Sequence, residues 1–137
     1  MRTAIFSAKF ENLDAIREFV AQAAKDAGFD ESVVYAIQLA ADEASSNIIE
    51  HAYKEDPSGE IECSCSEDDE NLVIIFRDHG CYFNPSKVPE PVLTGNLNER
   101  QVGGLGLYLI RQLMDEVHYE SLGEAGNVLI LKKHLGG

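Results

Sequence analysis

The chain has 137 residues, is 45% hydrophobic and carries 11 basic against 24 acidic side chains, a net charge of −13 at pH 7. That composition supplies one apolar core, and its acidity argues against a nucleic-acid groove, which neutralises phosphates with Lys and Arg, while favouring a basic protein partner. No apolar run approaches the ~20 residues that span a bilayer, MRTAIFSAKF lacks the apolar core of a secretory leader, and Cys63, Cys65 and Cys81 lack zinc-ligand spacing. A single domain over residues 1–137, in a reducing cytoplasm and away from membranes, is the expectation.

In chain order, residues 2–6 suit a short edge strand. Asn12 stands at an N-cap position, followed by Leu13, Ile16, Phe19, Val20, Ala23 and Ala24 at helical spacing until Gly28. Asp30 opens a second helix whose apolar stripe is Val33, Val34, Ile37, Ala40, Ala41, Ala44 and Ile48, fading near Tyr53 before the turn Asp56-Pro57-Ser58-Gly59. Residues 60–66 alternate as a half-buried strand with Cys63 and Cys65 on its apolar face, and 66–71 form an acidic hairpin turn. Residues 72–76 are apolar without a break, the pattern of a central strand covered on both faces or nearly so. Residues 84–102, with Pro85, Pro89, Pro91 and Gly95, form a long polar loop, and loops of that length in compact domains are functional or disordered. A helix over 108–117 follows, and strands 117–121 and 127–133 close the sheet around Gly123-Glu124-Ala125-Gly126.

Three stretches carry chemistry. In DEASSNIIEHAY (42–53), Glu43 and Asn47 are four residues apart and share one helical face, opposite the apolar stripe. An amide oxygen is a hard ligand suited to magnesium, and a carboxylate one turn away can deprotonate or orient a hydroxyl. Taken alone, the pair is also the pattern of a solvated polar face. In DHGCYFNP (78–85), Asp78 ends the buried strand, where an acid can accept a hydrogen bond from an exocyclic amine, and Gly80 permits a tight turn and a close-lying base. An ordinary Asp-Gly turn has the same appearance. In GGLGLYLI (103–110), glycines lead into a helix whose free N–H groups favour phosphate. It is not a Walker A loop, because GK[ST] is absent, nor a dinucleotide fingerprint, because no strand immediately precedes it.

In this order and spacing, the three stretches resemble the serine-kinase anti-sigma factors of the bacterial GHKL ATPase superfamily, and the resemblance runs from Phe10 to the last strand. DEASSNIIEHAY is similar to the N-box, which implies Glu43 as catalytic base and Asn47 as magnesium ligand. DHGCYF is similar to the first glycine box, implying Asp78 and Gly80 at the adenine. GGLGL is similar to the second, implying Gly104, Leu105 and Gly106 at the phosphates. The implied fold is an α/β two-layer sandwich, a mixed, mostly antiparallel sheet with helices on one face and ATP with Mg2+ held between helices and a lid over 84–102. The implied activity is phosphorylation of a serine or threonine on an anti-anti-sigma protein, with a sigma factor as second partner; a homodimer is compatible with it. Two positions depart from the family pattern: Tyr82 stands where a second glycine is common, and Asn127 lies near where relatives often place a threonine at the base. Asp78 then carries more of the base recognition.

Two other readings belong to different classes. A nucleotide-dependent binding module would sequester its partner without phosphorylating it; Glu43 argues against this and Tyr82 leaves room for it. A histidine-kinase fragment would need a dimerisation helix bearing a phospho-accepting histidine, and nothing before Glu43 supplies one.

Overall fold

The computed structural model describes residues 1–54, 56, 58–80 and 102–135, with 102–107 described as backbone only. Strand β1 (Arg2–Ser7) leads through a 3-10 turn (Phe10–Asn12) into helix α1 (Leu13–Asp26), followed by helix α2 (Glu31–Asn47) and one π turn (Ile48–Ala52). Strands β2 (Glu60–Glu67) and β3 (Asn71–Asp78), helix α3 (Val102–Leu113), and strands β4 (Glu116–Ser121) and β5 (Asn127–His134) complete the described chain. Of the polar loop and lid assigned to 84–102, residues 84–101 lie outside the described residues, as do Cys81 and Tyr82, while Val102 is the first residue of α3.

The sheet runs β1-β2-β3-β5-β4, and every described pairing is antiparallel. The helices cover one face. Ile61, Cys63 and Cys65 of β2, Leu72, Ile74 and Phe76 of β3, and Leu129 and Leu131 of β5 join Val20, Ile37 and Ala44 in one buried cluster. The expected two-layer α/β sandwich is therefore the architecture, with α2 packed between α1 and α3. Among the described residues no helix covers the opposite face, although Ser64 and Val128 on it are buried. On β3, Val73 and Ile75 are half-buried and Arg77 is exposed, so the unbroken apolar run has full cover on one face and partial cover on the other. It reflects a central position: neighbouring strands shield the run laterally while one face stays near water.

Local chemistry explains most element ends. Asp30 caps α2 by accepting the Val33 N–H at 3.0 Å, and that bond with the Ser32 hydroxyl holds its carboxyl below the usual range. Asn12 does not cap α1. The preceding 3-10 turn already places it in helical backbone, and its Nδ2 donates to the Ser7 carbonyl at 2.8 Å instead. The β2–β3 turn closes on Asp68, which accepts from the Glu70 and Asn71 N–H groups. Helix α3 starts at Val102 and ends at Leu113, so it begins earlier than expected and Val117 belongs to β4. The chain leaves the helix because Asp115 joins β5: its N–H donates to the Lys132 carbonyl, and its Oδ2 accepts from the His134 N–H.

The β4–β5 connection turns through a 3-10 segment (Gly123–Ala125) and requires glycine twice. Gly123 has φ +64 with open space around it, whereas Gly126 has φ +101 and a β-carbon there would lie 2.3 Å from the Asp78 carbonyl oxygen. Gly123→Ala is expected to destabilise by about 1 kcal/mol from backbone strain alone. Gly126→Ala, which adds a steric clash to a backbone region closed to L side chains, is expected to lose about 3 kcal/mol. Urea denaturation of the two variants checks both values.

Candidate functional site

The sheet order brings β3 and β5 together although β4 lies between β5 and the rest of the chain in sequence. Their register pairs Asp78 with Asn127 at the ends of the two strands. Alternation along β3 points Leu72, Ile74, Phe76 and then Asp78 into the helix layer, so the acid is buried with them. Its Oδ1 accepts from the Gly80 N–H at 2.9 Å and from Asn127 Nδ2 at 2.9 Å. Burial pushes the Asp78 carboxyl up from the usual carboxylate range, while these donors partly offset it. Asp78 thus does close an Asp-x-Gly turn, and it is also a buried acceptor at a strand end.

Gly80 is needed for a different reason from the one the sequence suggests. Its φ lies outside the left-handed region, but a β-carbon would sit 2.5 Å from the Ala52 carbonyl oxygen. The end of the π turn therefore abuts the Asp78–Gly80 turn directly. Tyr53 ties the same two segments together: its hydroxyl donates to the Glu60 carbonyl at 2.7 Å and accepts the His79 N–H at 2.8 Å. Burial raises the Tyr53 phenol above its ordinary value, keeping the bridge neutral.

Glu43 and Asn47 lie on the last turns of α2, as their spacing required. Asn47 is 5% exposed, and its Oδ1 has no hydrogen-bond partner among the described residues. A buried amide oxygen left without a donor is an acceptor suited to a hard cation or to the water around one. Glu43 is half-buried; desolvation, then the charges of Asp42 and Glu50, raise its carboxyl above the usual range. Asp42 is itself held toward α1 by Arg17, with Nη1 to Oδ2 at 3.2 Å. His51 Nε2 lies 3.8 Å from the Glu50 carboxylate within the π turn.

Gly104, Leu105 and Gly106 fall inside the first turns of α3 rather than in a loop before it, on a helix packed against α2. The side chains of 102–107 are outside the described residues. The three motifs thus lie on α2, at the end of β3 and at the start of α3. Described contacts join the first two through Ala52–Gly80 and Tyr53–His79. Sequence reasoning did not single out Tyr53. Its position just after the N-box helix, before a Gly-containing turn, was the available signal.

The whole arrangement matches the histidine kinase-like ATPase domain over residues 6–133. The chain belongs to that family. It is 29% identical over 131 residues to the serine-protein kinase RsbW of Bacillus subtilis, covering 93% of this chain and 81% of the relative. The serine-protein kinase RsbW of Bacillus mycoides is 33% identical with the same coverage. Among solved structures, the histidine kinase domain of a blue-light activated kinase from Erythrobacter litoralis aligns with a TM-score of 0.56 at 18% identity, covering 95% of this chain and 62% of that one. The longer structure of that kinase aligns with a TM-score of 0.57 at 20% identity, and this chain spans 42% of it. The folds agree, and the resemblance first read from the three motifs stands.

The raised Glu43 carboxyl has a consequence for stability. A carboxylate whose folded pKa exceeds its unfolded value opposes folding fully above the folded pKa, and the penalty vanishes below the unfolded one. Glu43→Gln is therefore expected to raise the melting temperature at neutral pH, with the gain shrinking as pH falls toward about 4. Thermal melts of the two proteins across that range check the sign; a gain that grew on acidification would contradict it.

Proposed function

We propose that the chain is one ATP-binding kinase domain that transfers the γ-phosphoryl of MgATP to a serine or threonine hydroxyl of a protein partner. The single observation carrying this is the pairing on α2: an unpartnered, buried Asn47 oxygen one turn from a half-buried carboxylate with a raised pKa. Relatives of similar length named serine-protein kinases support it.

In this reading Asn47 Oδ1 would hold magnesium, which when bound neutralises charge on the nucleotide phosphates. Asp78 accepts the exocyclic amine of adenine on its second carboxylate oxygen, which a base lacking that amine leaves unpaired. Gly80 keeps the turn flat against Ala52, next to the base. Backbone N–H groups at Gly104, Leu105 and Gly106 in the first turns of α3 face the phosphates. Glu43 orients the incoming hydroxyl and takes its proton as the hydroxyl oxygen bonds to the γ-phosphorus. The bond from that phosphorus to the β–γ bridging oxygen breaks, and ADP leaves. The raised Glu43 pKa makes its carboxylate a stronger proton acceptor than an exposed glutamate.

The partners in this reading are those of the family resemblance: an anti-anti-sigma protein as phosphate acceptor and a sigma factor held inactive. The net charge of −13 suits a basic face on one of them. The location is cytoplasmic; among the described residues no helix is long and apolar enough to cross a membrane.

Labelled ATP, magnesium and the candidate acceptor protein test the reaction. Wild type is expected to label a serine or threonine. Glu43→Ala is expected to lose about 10²–10⁴-fold in transfer rate while ATP affinity stays within about three-fold, because a base acts on the hydroxyl. Asn47→Ala is expected to abolish the magnesium-dependent part of ATP affinity, read by calorimetry. Transfer by Glu43→Ala at the wild-type rate would remove Glu43 as base. ATP binding with no transfer to any partner would favour the sequestering module.

A further inference from the structure

Asn127 is more than a filler at the end of β5. It is 2% exposed, faces Asp78 across the ladder, and its Nδ2 donates both to Asp78 Oδ1 at 2.9 Å and to the Gly80 carbonyl at 3.3 Å. The Gly80 N–H donates to the same carboxylate oxygen at 2.9 Å. With two donors on Oδ1, the carboxylate plane and rotamer are set, and so is the direction of Oδ2. Among the described residues, no donor falls on Oδ2. A leucine of similar shape would fill the same space without any of these bonds, so a buried amide here has an orienting role that packing alone does not need.

The amide also links the acid to the turn that follows it. Through Asn127, β5 holds both the Asp78 side chain and the Gly80 backbone, so the acceptor and the flat turn beside it move as one piece. Gly126, immediately before, has no side chain to keep β5 away from the Asp78 carbonyl.

We propose that Asn127 is a positioning residue that aims the second carboxylate oxygen of Asp78 at the exocyclic amine of the bound base, and so sets the preference of this site for an amino-bearing purine. This rests on the reading of Asp78 as the base acceptor. Without Asn127 the carboxylate keeps only the Gly80 donor and can rotate about it. The contact to the amine is then lost, while contacts to ribose and phosphate remain.

The test compares ATP with purine riboside 5′-triphosphate, the same nucleotide without its 6-amino group. Affinities are measured by calorimetry with magnesium on the full chain. Wild type is expected to prefer ATP at least about tenfold, and Asp78→Asn to lose that preference. Asn127→Leu is expected to bind ATP about tenfold more weakly and the amine-free analogue within about twofold of wild type. Asn127→Thr, which keeps one donor, is expected to recover part of the ATP affinity. Equal loss for both nucleotides in Asn127→Leu would mean a packing role only and would overturn the proposal. If wild type prefers ATP through Asp78 but Asn127→Leu keeps that preference, Asn127 is overturned and the base reading stands. If wild type shows no preference, the base reading fails and takes the proposal with it. Should Asn127→Leu not fold, Asn127→Ala gives the same comparison. In the wild-type protein, a slowly exchanging, downfield Asn127 side-chain proton reports the bond directly, and its absence would count against the proposal.

Discussion

A carboxylate buried at the end of a central strand must find donors, and the way Asp78 finds them fixes the position of four separate pieces of chain. Asn127 has to lie opposite it, which fixes the register of β5 against β3. The Gly80 N–H has to fold back onto it, which sets the turn after β3. That turn can close only because Gly80 presents bare backbone to the Ala52 carbonyl, and β5 can approach only because Gly126 has no side chain against the Asp78 carbonyl. The Tyr53 hydroxyl then joins the turn to the start of β2 through His79 and Glu60. Remove the need for donors and none of these contacts is required.

The same burial sets stability and chemistry against each other. Asp78 and Glu43 both carry carboxyls raised by desolvation, so each is less comfortable charged in the folded chain than in water. Neither is buried for the sake of the core, which Phe76, Ile37 and Leu131 fill without help. In the proposed reading each ionised form has a group to meet: an amine for Asp78, a hydroxyl proton for Glu43. Both carboxylates thus lower the stability of the folded chain at neutral pH, against the gain from the core between α2 and the sheet.

Much of this was legible in the residues. The helical stripe from Val34 to Ala44, the alternation of β2 and the Asp30 cap are short-range patterns, and the structure repeats them. Glu43 and Asn47 were readable because a spacing of four has one meaning on a helix. What was not legible depended on neighbours distant in sequence. The Leu72–Phe76 run has the same letters whether or not a second layer covers it, and only the half-buried outer face around Val73 and Ile75 decides. Gly80 looked like a turn residue because its true constraint, the Ala52 carbonyl, is 28 positions earlier. Asn127 carried no periodic signal. Its role comes from a register that local sequence does not determine.

The π turn at Ile48–Ala52 changes what counts as a conservative edit in this region. The Tyr53 N–H reaches back five residues to the Ile48 carbonyl, where an α-helix would reach back four. The wider turn takes up about one residue more than an α turn, so each residue beyond it stands about 100° short of the phase an uninterrupted α-helix would give it. Ala52, which meets Gly80, and Tyr53, which meets His79, stand at the end of that turn and take their direction from it. Winding the same residues 48–52 as plain α-helix would remove no side chain, yet it would change the phase of everything beyond them. Glu43 and Asn47 would stay where they are while the hydroxyl bridge and the flat contact swung to another side. In this segment the pitch of the helix serves the two contacts as much as the identity of the residues does.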